Sequence, residues 1–269
     1  MTEVFPLSFK EYLDFRGIEL ANGWEYRQNS EIKRELNEYF HFGGLPEVAT
    51  ALKPFKRQRL SSLFDRIYFG DLIARNNLRK KNSLKTLIRK VSESIGQPVT
   101  YNRLASVVTS TGPALKSETV GEYLDYMKQA WLMIQIENFS GKFTERLSYS
   151  KYYFVDNGLI SLFREDALGE LLENMVAVHL RRRYGSDIYY YKHNIEVDFY
   201  IPSEEMAIQV SYTVADDKTR QREQRAIEII NTQYPLRRAM IITYDEEDVY
   251  TLDSGLKVEV LPLWKWMLS

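Results

Sequence analysis

Apolar and polar residues alternate in two short stretches between positions 195 and 212, and this alternation predicts two β-strands. The first strand is predicted to place Ile195, Val197, Phe199 and Ile201 on one face and Glu196, Asp198 and Tyr200 on the other. In the second, Ile208 and Val210 alternate with Gln209 and Ser211. A turn at residues 202–205 separates the strands, so a hairpin is predicted to bring Asp198 close to Gln209.

A helix is predicted just upstream, because apolar residues recur at helical spacing at Leu172, Met175, Val176 and Leu180. Glu173 lies beside this apolar stripe, in a position to face a sheet. One helix and two strands are therefore predicted to converge on a cluster of oxygens from Glu173, Asp198 and Gln209.

Residues 82–155 have the pattern of a winged helix-turn-helix. Three amphipathic helices are predicted, followed by two β-rich runs at residues 131–139 and 151–155 that would meet in a hairpin turn around Gly141-Lys142. The predicted helices are Asn82–Ser94, Thr100–Val108 and Ser117–Ala130, with a turn at residues 110–113 between the second and third. The third helix exposes Glu118, Glu122 and Asp125, so insertion into a DNA groove is unfavourable and a structural or protein-contact role is favoured.

The segments 169–174, 196–199 and 208–211 resemble the PD-(D/E)xK nuclease-like domain and, more narrowly, the family called domain of unknown function 4143, which usually follows an AAA-type ATPase module. The resemblance implies that Glu173 and Asp198 hold magnesium and that Gln209 occupies the position of the second strand's acidic or amide residue. The lysine of that motif falls on Ser211. Lys192, on the preceding strand, is the candidate substitute for it.

Two N-terminal stretches extend this resemblance. Residues 4–13 are similar to the end of the ATPase core, and Phe42–Glu47 resembles the lid signature, in which a glycine pair permits a tight turn between helices. We therefore expect an α/β (α+β) protein with three parts. Residues 1–52 would be a remnant of the core end and lid, 53–155 the basic helices and winged helix, and 156–269 the nuclease-like domain.

The composition restricts the chemistry. The 269 residues include no cysteine and only three scattered histidines, which excludes disulfides and thiolate zinc sites, so any catalysis must rest on carboxylates. The only Gly-Lys pair, Gly141-Lys142, lacks the rest of the phosphate-cradling motif, and we expect no ATP hydrolysis. No apolar run of about 18 residues exists, so neither a membrane span nor a signal peptide is predicted, and the cytoplasm is the expected location.

Charge is unevenly distributed along the chain, although the formal net charge is only -1. The basic segment, residues 52–90, carries twelve lysines and arginines against Asp65 and Asp71. Such a segment is typical of nucleic-acid binders, and a solvated face or a docking site for an acidic protein are the alternatives. The candidate phosphate-binding residues are Arg75, Arg79, Lys80, Lys81 and Lys85.

These observations favour a non-ATPase region that binds DNA, RNA or a protein partner through its basic helices, with a degenerate nuclease-like domain. Gln209 weakens a magnesium site, and Ser211 cannot supply the cation that stabilises a phosphodiester transition state. One alternative is a magnesium-dependent DNA nuclease. The other is an interaction module that regulates a separate ATPase.

Overall fold

The computed structural model describes residues 4–112, 114–139, 149–164 and 166–269. Helices make up most of the first half and flank the sheet in the second half. In chain order they are α1 (Phe9–Phe15), α2 (Trp24–Arg27), α3 (Asn29–Phe42), α4 (Pro46–Ala49), α5 (Lys53–Asp65), a π-helix (Arg66–Ala74), α6 (Lys81–Ser92), α7 (Tyr101–Thr111), α8 (Ser117–Gln129), α9 (Asn157–Ser161), α10 (Leu168–Tyr184), α11 (Asp217–Gln233) and α12 (Leu263–Leu268).

The strands of the described residues form one mixed sheet in the order β2-β1-β3-β4-β5-β6-β8-β7. Their bounds are β1 (Met133–Asn138), β2 (Ser150–Phe154), β3 (Tyr189–Lys192), β4 (Glu196–Ile201), β5 (Met206–Val210), β6 (Arg238–Thr243), β7 (Asp248–Thr251) and β8 (Lys257–Pro262). The β1–β2, β3–β4, β4–β5 and β7–β8 pairs are antiparallel, and the β1–β3, β5–β6 and β6–β8 pairs are parallel. The expected α/β class, with a helical N-terminal region, is confirmed.

The three helices and two strands predicted for residues 82–155 are present as α6, α7, α8, β1 and β2. The predicted turn at Gly141-Lys142 lies outside the described residues, as does Pro113 of the turn before α8. Strand β1 also pairs with β3, because Glu137 aligns with Tyr189. The antiparallel β1–β2 pair therefore lies at an edge of the central sheet, and the sheet is continuous across the boundary predicted after residue 155.

Helices cover both faces of the sheet. On one face the large core joins Phe199 and Ile208 to Leu172 and Val176 of α10. On the other, a smaller cluster joins Val197, Tyr200 and Ala207 to Ala226 and Ile230 of α11. Strands β4 and β5 are thus buried between α10 and α11.

The predicted alternation of β4 is wrong at one point. Tyr189 pairs with Tyr200 but Tyr191 pairs with Val197, so β4 has one residue more than β3 between these pairs. This β-bulge puts Phe199 into the large core while Val197 packs against α11, on the opposite face. A bulge arises from pairing between strands, and alternation within one strand does not reveal it.

The predicted tight turn at the glycine pair is confirmed, since Gly43 and Gly44 lie between the end of α3 and the start of α4. Gly43 has a φ of 74°, and a Cβ there would collide with the Asp156 carboxylate. The Gly44 N–H donates to Asp156 Oδ2 at 2.7 Å, and the Gly158 N–H donates to Oδ1 at 2.8 Å. The turn is therefore fixed to the segment that leads into α9.

Candidate functional site

Helix α10 is fixed against β2 by the side chain next to Glu173. Asn174 is fully buried, accepts from the Phe154 N–H at 2.7 Å and donates to the Phe154 carbonyl at 2.9 Å. Because β2 lies at the edge of the sheet that the described residues form, these hydrogen bonds satisfy backbone groups of Phe154 that no further described strand pairs. The same contact brings Glu173 beside the side chains of β2.

There Glu173 contacts Lys151, whose side chain is completely buried. Its ammonium nitrogen lies 3.2 Å from Glu173 Oε1, 3.0 Å from Glu196 Oε1 and 3.3 Å from Asp198 Oδ1. The Tyr153 hydroxyl, also on β2, donates to Glu173 Oε1 at 2.7 Å. We call Lys151, Glu173, Glu196 and Asp198 the charged cluster.

The β4–β5 hairpin brings Asp198 and Gln209 together, as predicted. The Asp198 N–H donates to Gln209 Oε1 at 2.8 Å, and the Val210 N–H donates to Asp198 Oδ2 at 2.9 Å. Gln209 Nε2 donates to the Glu196 carbonyl at 3.2 Å and to Glu223 Oε2 of α11 at 2.8 Å. Gln209 is therefore held at both ends of its amide.

Burial and charge shift the pKa values of the cluster. Burial, together with the charge of Asp198, raises the pKa of Glu173 to about 7, although Lys151 and the Tyr153 hydroxyl act against it. Burial alone would lower the pKa of Lys151, but Glu173, Asp198 and Glu196 outweigh it and hold that pKa well above its usual range. Lys151 stays a cation at neutral pH.

Lys192 does not fill the role predicted for it at Asp198. Its exposed ammonium pairs with Glu196 Oε2 at 2.6 Å, while Lys151 is the cation that contacts Asp198. The Ser211 hydroxyl donates to the Thr213 carbonyl at 2.8 Å.

Sequence reasoning missed Lys151. One signal was present, because a lysine beside the run Tyr152-Tyr153-Phe154-Val155 enters a buried strand only if carboxylates pair with it.

The cluster does not fit the magnesium ion predicted at Glu173 and Asp198. Oxygens of Glu173, Glu196 and Asp198 are turned to one ammonium, and Asp198 Oδ2 is bonded by a backbone N–H. Across the described ranges, no group of three or more His, Cys, Asp or Glu side chains has an arrangement that could hold a metal ion. The Lys151 ammonium already occupies the position between the three carboxylates.

A cavity of about 900 Å³ opens beside the cluster, and its lining combines acidic and basic side chains. Glu173, Glu196, Asp198 and Glu223 contribute carboxylates, and Lys218, Arg222 and Arg225 of α11 contribute cations. Arg222 is bound to Glu223, with its Nε 3.0 Å from Oε1. An anionic ligand in this cavity would meet carboxylates as well as cations.

The five predicted phosphate-binding residues, Arg75, Arg79, Lys80, Lys81 and Lys85, are all exposed. Lys80 donates to the Ala114 carbonyl at 2.8 Å, which fixes the segment before α8. Within the part of the chain that the structure describes, the other four form no ion pair. Elsewhere in the basic segment, Lys56 is buried against Glu38 at 2.7 Å, and Arg66 pairs with Glu47 at 2.9 Å.

Two family models together cover most of the chain. Residues 33–167 match the one described as Domain of unknown function (DUF8612), and residues 168–266 match Domain of unknown function (DUF4143). The predicted resemblance to the latter family is thus confirmed for residues 168–266. The two models meet between residues 167 and 168.

Two relatives are similar to the chain. One, an uncharacterized protein of Methanocaldococcus jannaschii, is 31% identical over 280 residues, which cover 100% of this chain and 63% of the relative. The other, an uncharacterized protein of Haemophilus influenzae, is 30% identical over 195 residues, or 69% of this chain and 46% of the relative. The chain therefore spans less than two thirds of the length of either. No solved structure was found to match it.

Proposed function

The chain belongs to the DUF8612 family and carries a DUF4143 domain, and from this premise we propose that it binds nucleic acid through its basic segment without cleaving it. In this proposal the C-terminal part is a PD-(D/E)xK nuclease-like domain, and the chain corresponds to the region that follows an AAA-type ATPase core. The element order α10-β3-β4-β5-α11-β6, with Glu173, Asp198 and Gln209 converging, supports the nuclease-like fold. The order α6-α7-α8-β1-β2 supports the winged helix.

The observation that carries the binding proposal is the set of exposed cations without ion-pair partners. Arg75, Arg79, Lys81 and Lys85 lie within eleven residues of sequence, and no carboxylate of the described residues neutralises them. Exposed cations of this kind attract phosphates and release counterions when they bind them. Helix α8, in contrast, exposes Glu118, Glu122 and Asp125, which disfavours it as the groove-reading helix.

The charged cluster supports the absence of cleavage. Phosphodiester hydrolysis needs a metal or cation that faces the phosphate as charge develops there. The Lys151 ammonium is enclosed by three carboxylates and is inaccessible to solvent. Its single charge is taken up by the three carboxylates and is not presented to a ligand.

The binding proposal is tested with labelled duplex DNA across a salt series. The triple variant Arg75→Ala, Arg79→Ala, Lys81→Ala should bind more weakly and flatten the slope of log affinity against log salt by up to about 3 units, roughly 0.9 for each lost contact. The matched control replaces three exposed cations from outside the basic segment, Lys10, Arg27 and Lys257, with alanine. Equal slopes for the two variants, or no binding of either duplex or single-stranded DNA by the wild type at low salt, would refute the proposal.

A magnesium-dependent nuclease is the alternative that the sequence raised, and the enclosed position of Lys151 beside Asp198 speaks against it. Cleavage of DNA in magnesium by the wild type, abolished by both Asp198→Ala and Lys151→Met under conditions where thermal unfolding shows both variants to be folded, would promote this candidate. Absence of cleavage in both wild type and variants agrees with the first proposal.

A further inference from the structure

A separate groove of about 490 Å³ lies beside α6. Four polar side chains of α6 line one wall, and Leu162 and Phe163, just after α9, line the other. The α6 residues are Asn82, Lys85, Thr86 and Arg89. Among the described residues, those that line the groove include no acidic side chain, in contrast to the cavity at the charged cluster.

The helical repeat explains why these four residues share a wall. Positions 82, 85, 86 and 89 are spaced by three and four residues and so lie on one face of a helix. The opposite face is buried, with Leu84, Leu87, Ile88 and Val91 in the large core. Lys85 is exposed and forms no ion pair within the described ranges. Arg89 is also exposed, and its Nε lies 3.5 Å from Glu93 Oε1. The groove therefore has a positive wall that the fold holds in place.

The second wall offers a fixed aromatic ring. Phe163 is half-buried, and its ring meets Phe64 edge-on with the centroids 5.2 Å apart. Phe154 of β2 packs nearby, at a centroid distance of 6.4 Å. These contacts anchor the ring from the core side while it still lines the groove.

We propose that this groove binds one nucleotide of a single-stranded nucleic acid, with the phosphate against Lys85 and Arg89 and the base against Phe163. The inference rests on the proposed function and specifies its ligand. The volume of the groove falls within the range of about 300–1,000 Å³ that is usual for small-ligand pockets. Single-strand binders combine a cationic track with aromatic rings on which bases stack. A duplex keeps its bases stacked inside and cannot place one against Phe163.

The test compares a labelled oligothymidylate with a hairpin duplex by fluorescence anisotropy. Wild type should bind the single strand more tightly than the duplex. Phe163→Leu keeps an apolar side chain against Phe64 but removes the stacking ring, and it should weaken single-strand binding by about fivefold to a hundredfold without changing duplex affinity. Phe163→Tyr should retain the wild-type preference. Thermal unfolding of each variant checks that the fold persists.

A second variant separates charge from stacking. Lys85→Gln should lower the single-strand salt slope by about 0.7, the value for one lost contact, and Lys257→Gln should leave it unchanged. Equal affinity of wild type for both ligands, with no effect of Phe163→Leu, would overturn this inference but leave nucleic-acid binding intact. No binding of either ligand at low salt would overturn both proposals.

Discussion

Lys151 is the residue on which the candidate site depends. Of the described residues, it contributes the one buried cation among Glu173, Glu196 and Asp198, from a strand that precedes all three in sequence. Removal of one partner from a buried ion cluster leaves the remaining charges without compensation, and this costs more than the loss of an exposed pair. The two lysines that contact Glu196 therefore make different contributions to stability.

We expect Lys151→Met to lower the free energy of unfolding by about 3–5 kcal/mol, measured by urea denaturation at pH 8. Lys192→Met, which removes only the exposed partner of Glu196, should cost about 1 kcal/mol or less. The Lys151→Met deficit should shrink at pH 5, because protonation relieves the uncompensated carboxylates. Similar costs for the two variants, independent of pH, would contradict the ion-cluster interpretation.

His179 is expected to make the stability of the wild-type protein fall as the pH falls. Burial, with Arg183 and Arg182 nearby, lowers its pKa from 6.5 to about 4. Between these values the unfolded chain binds a proton that the folded protein does not, so stability falls as the pH drops from about 6.5 towards 4.

The variant His179→Gln cannot titrate and should lose this dependence. The difference in unfolding free energy between wild type and variant should stay constant above about pH 7. Below about pH 6 it should decline by up to about 1.4 kcal/mol per pH unit. Parallel stability curves from pH 4 to 8 would show that His179 titrates normally in the folded protein.

At the scale of elements, the turn between α3 and α4 ties the N-terminal helices to the segment before α9. Gly43 and Gly17 have nearly the same φ, 74° and 76°, but only Gly43 has a neighbour that a Cβ would strike. They differ in crowding, and Gly43 also combines its positive φ with a ψ of -168°, a conformation that essentially only glycine adopts.

Gly17→Ala should cost about 1 kcal/mol, from strain at positive φ alone. Gly43→Ala should cost at least about 1–3 kcal/mol more, for two reasons. The backbone conformation of Gly43 is strained for alanine, and the methyl group displaces the Asp156 carboxylate, which accepts hydrogen bonds from the Gly44 and Gly158 N–H groups. Chemical denaturation of both variants measures the difference, and equal costs would contradict both the backbone strain at Gly43 and its crowding by Asp156.

Local patterns predicted most elements of residues 82–155 and the β4–β5 hairpin, since periodicity and turn residues are encoded within each segment. The α6 and α8 helices end within two residues of their predicted bounds. Contacts between residues distant in sequence determine three other features: the pairing of β1 with β3, the bulge in β4 and the position of Lys151 beside Asp198. The site was therefore predictable for Glu173, Asp198 and Gln209, but its cation was not.

At the scale of the whole molecule, one sheet and one large core span both family segments. The large core includes residues from Phe9 to Met267, and the β1–β3 pair joins the segments within the sheet. We expect urea unfolding followed by far-UV circular dichroism and by tryptophan fluorescence to give coincident midpoints, because neither segment retains a complete core alone. Two separated midpoints would show that the segments unfold independently.

The charged cluster also limits how such proteins recombine. Lys151 and Tyr153 belong to the segment that ends at residue 167, and their carboxylate partners belong to the segment that follows. In a chimaera that takes residues 168–269 from a relative, Lys151 keeps its ion-pair partners only if the relative has acidic residues at the positions of Glu173, Glu196 and Asp198. The two segments are therefore expected to exchange as a pair, and an evolutionary change at position 151 should be accompanied by changes at 173, 196 or 198.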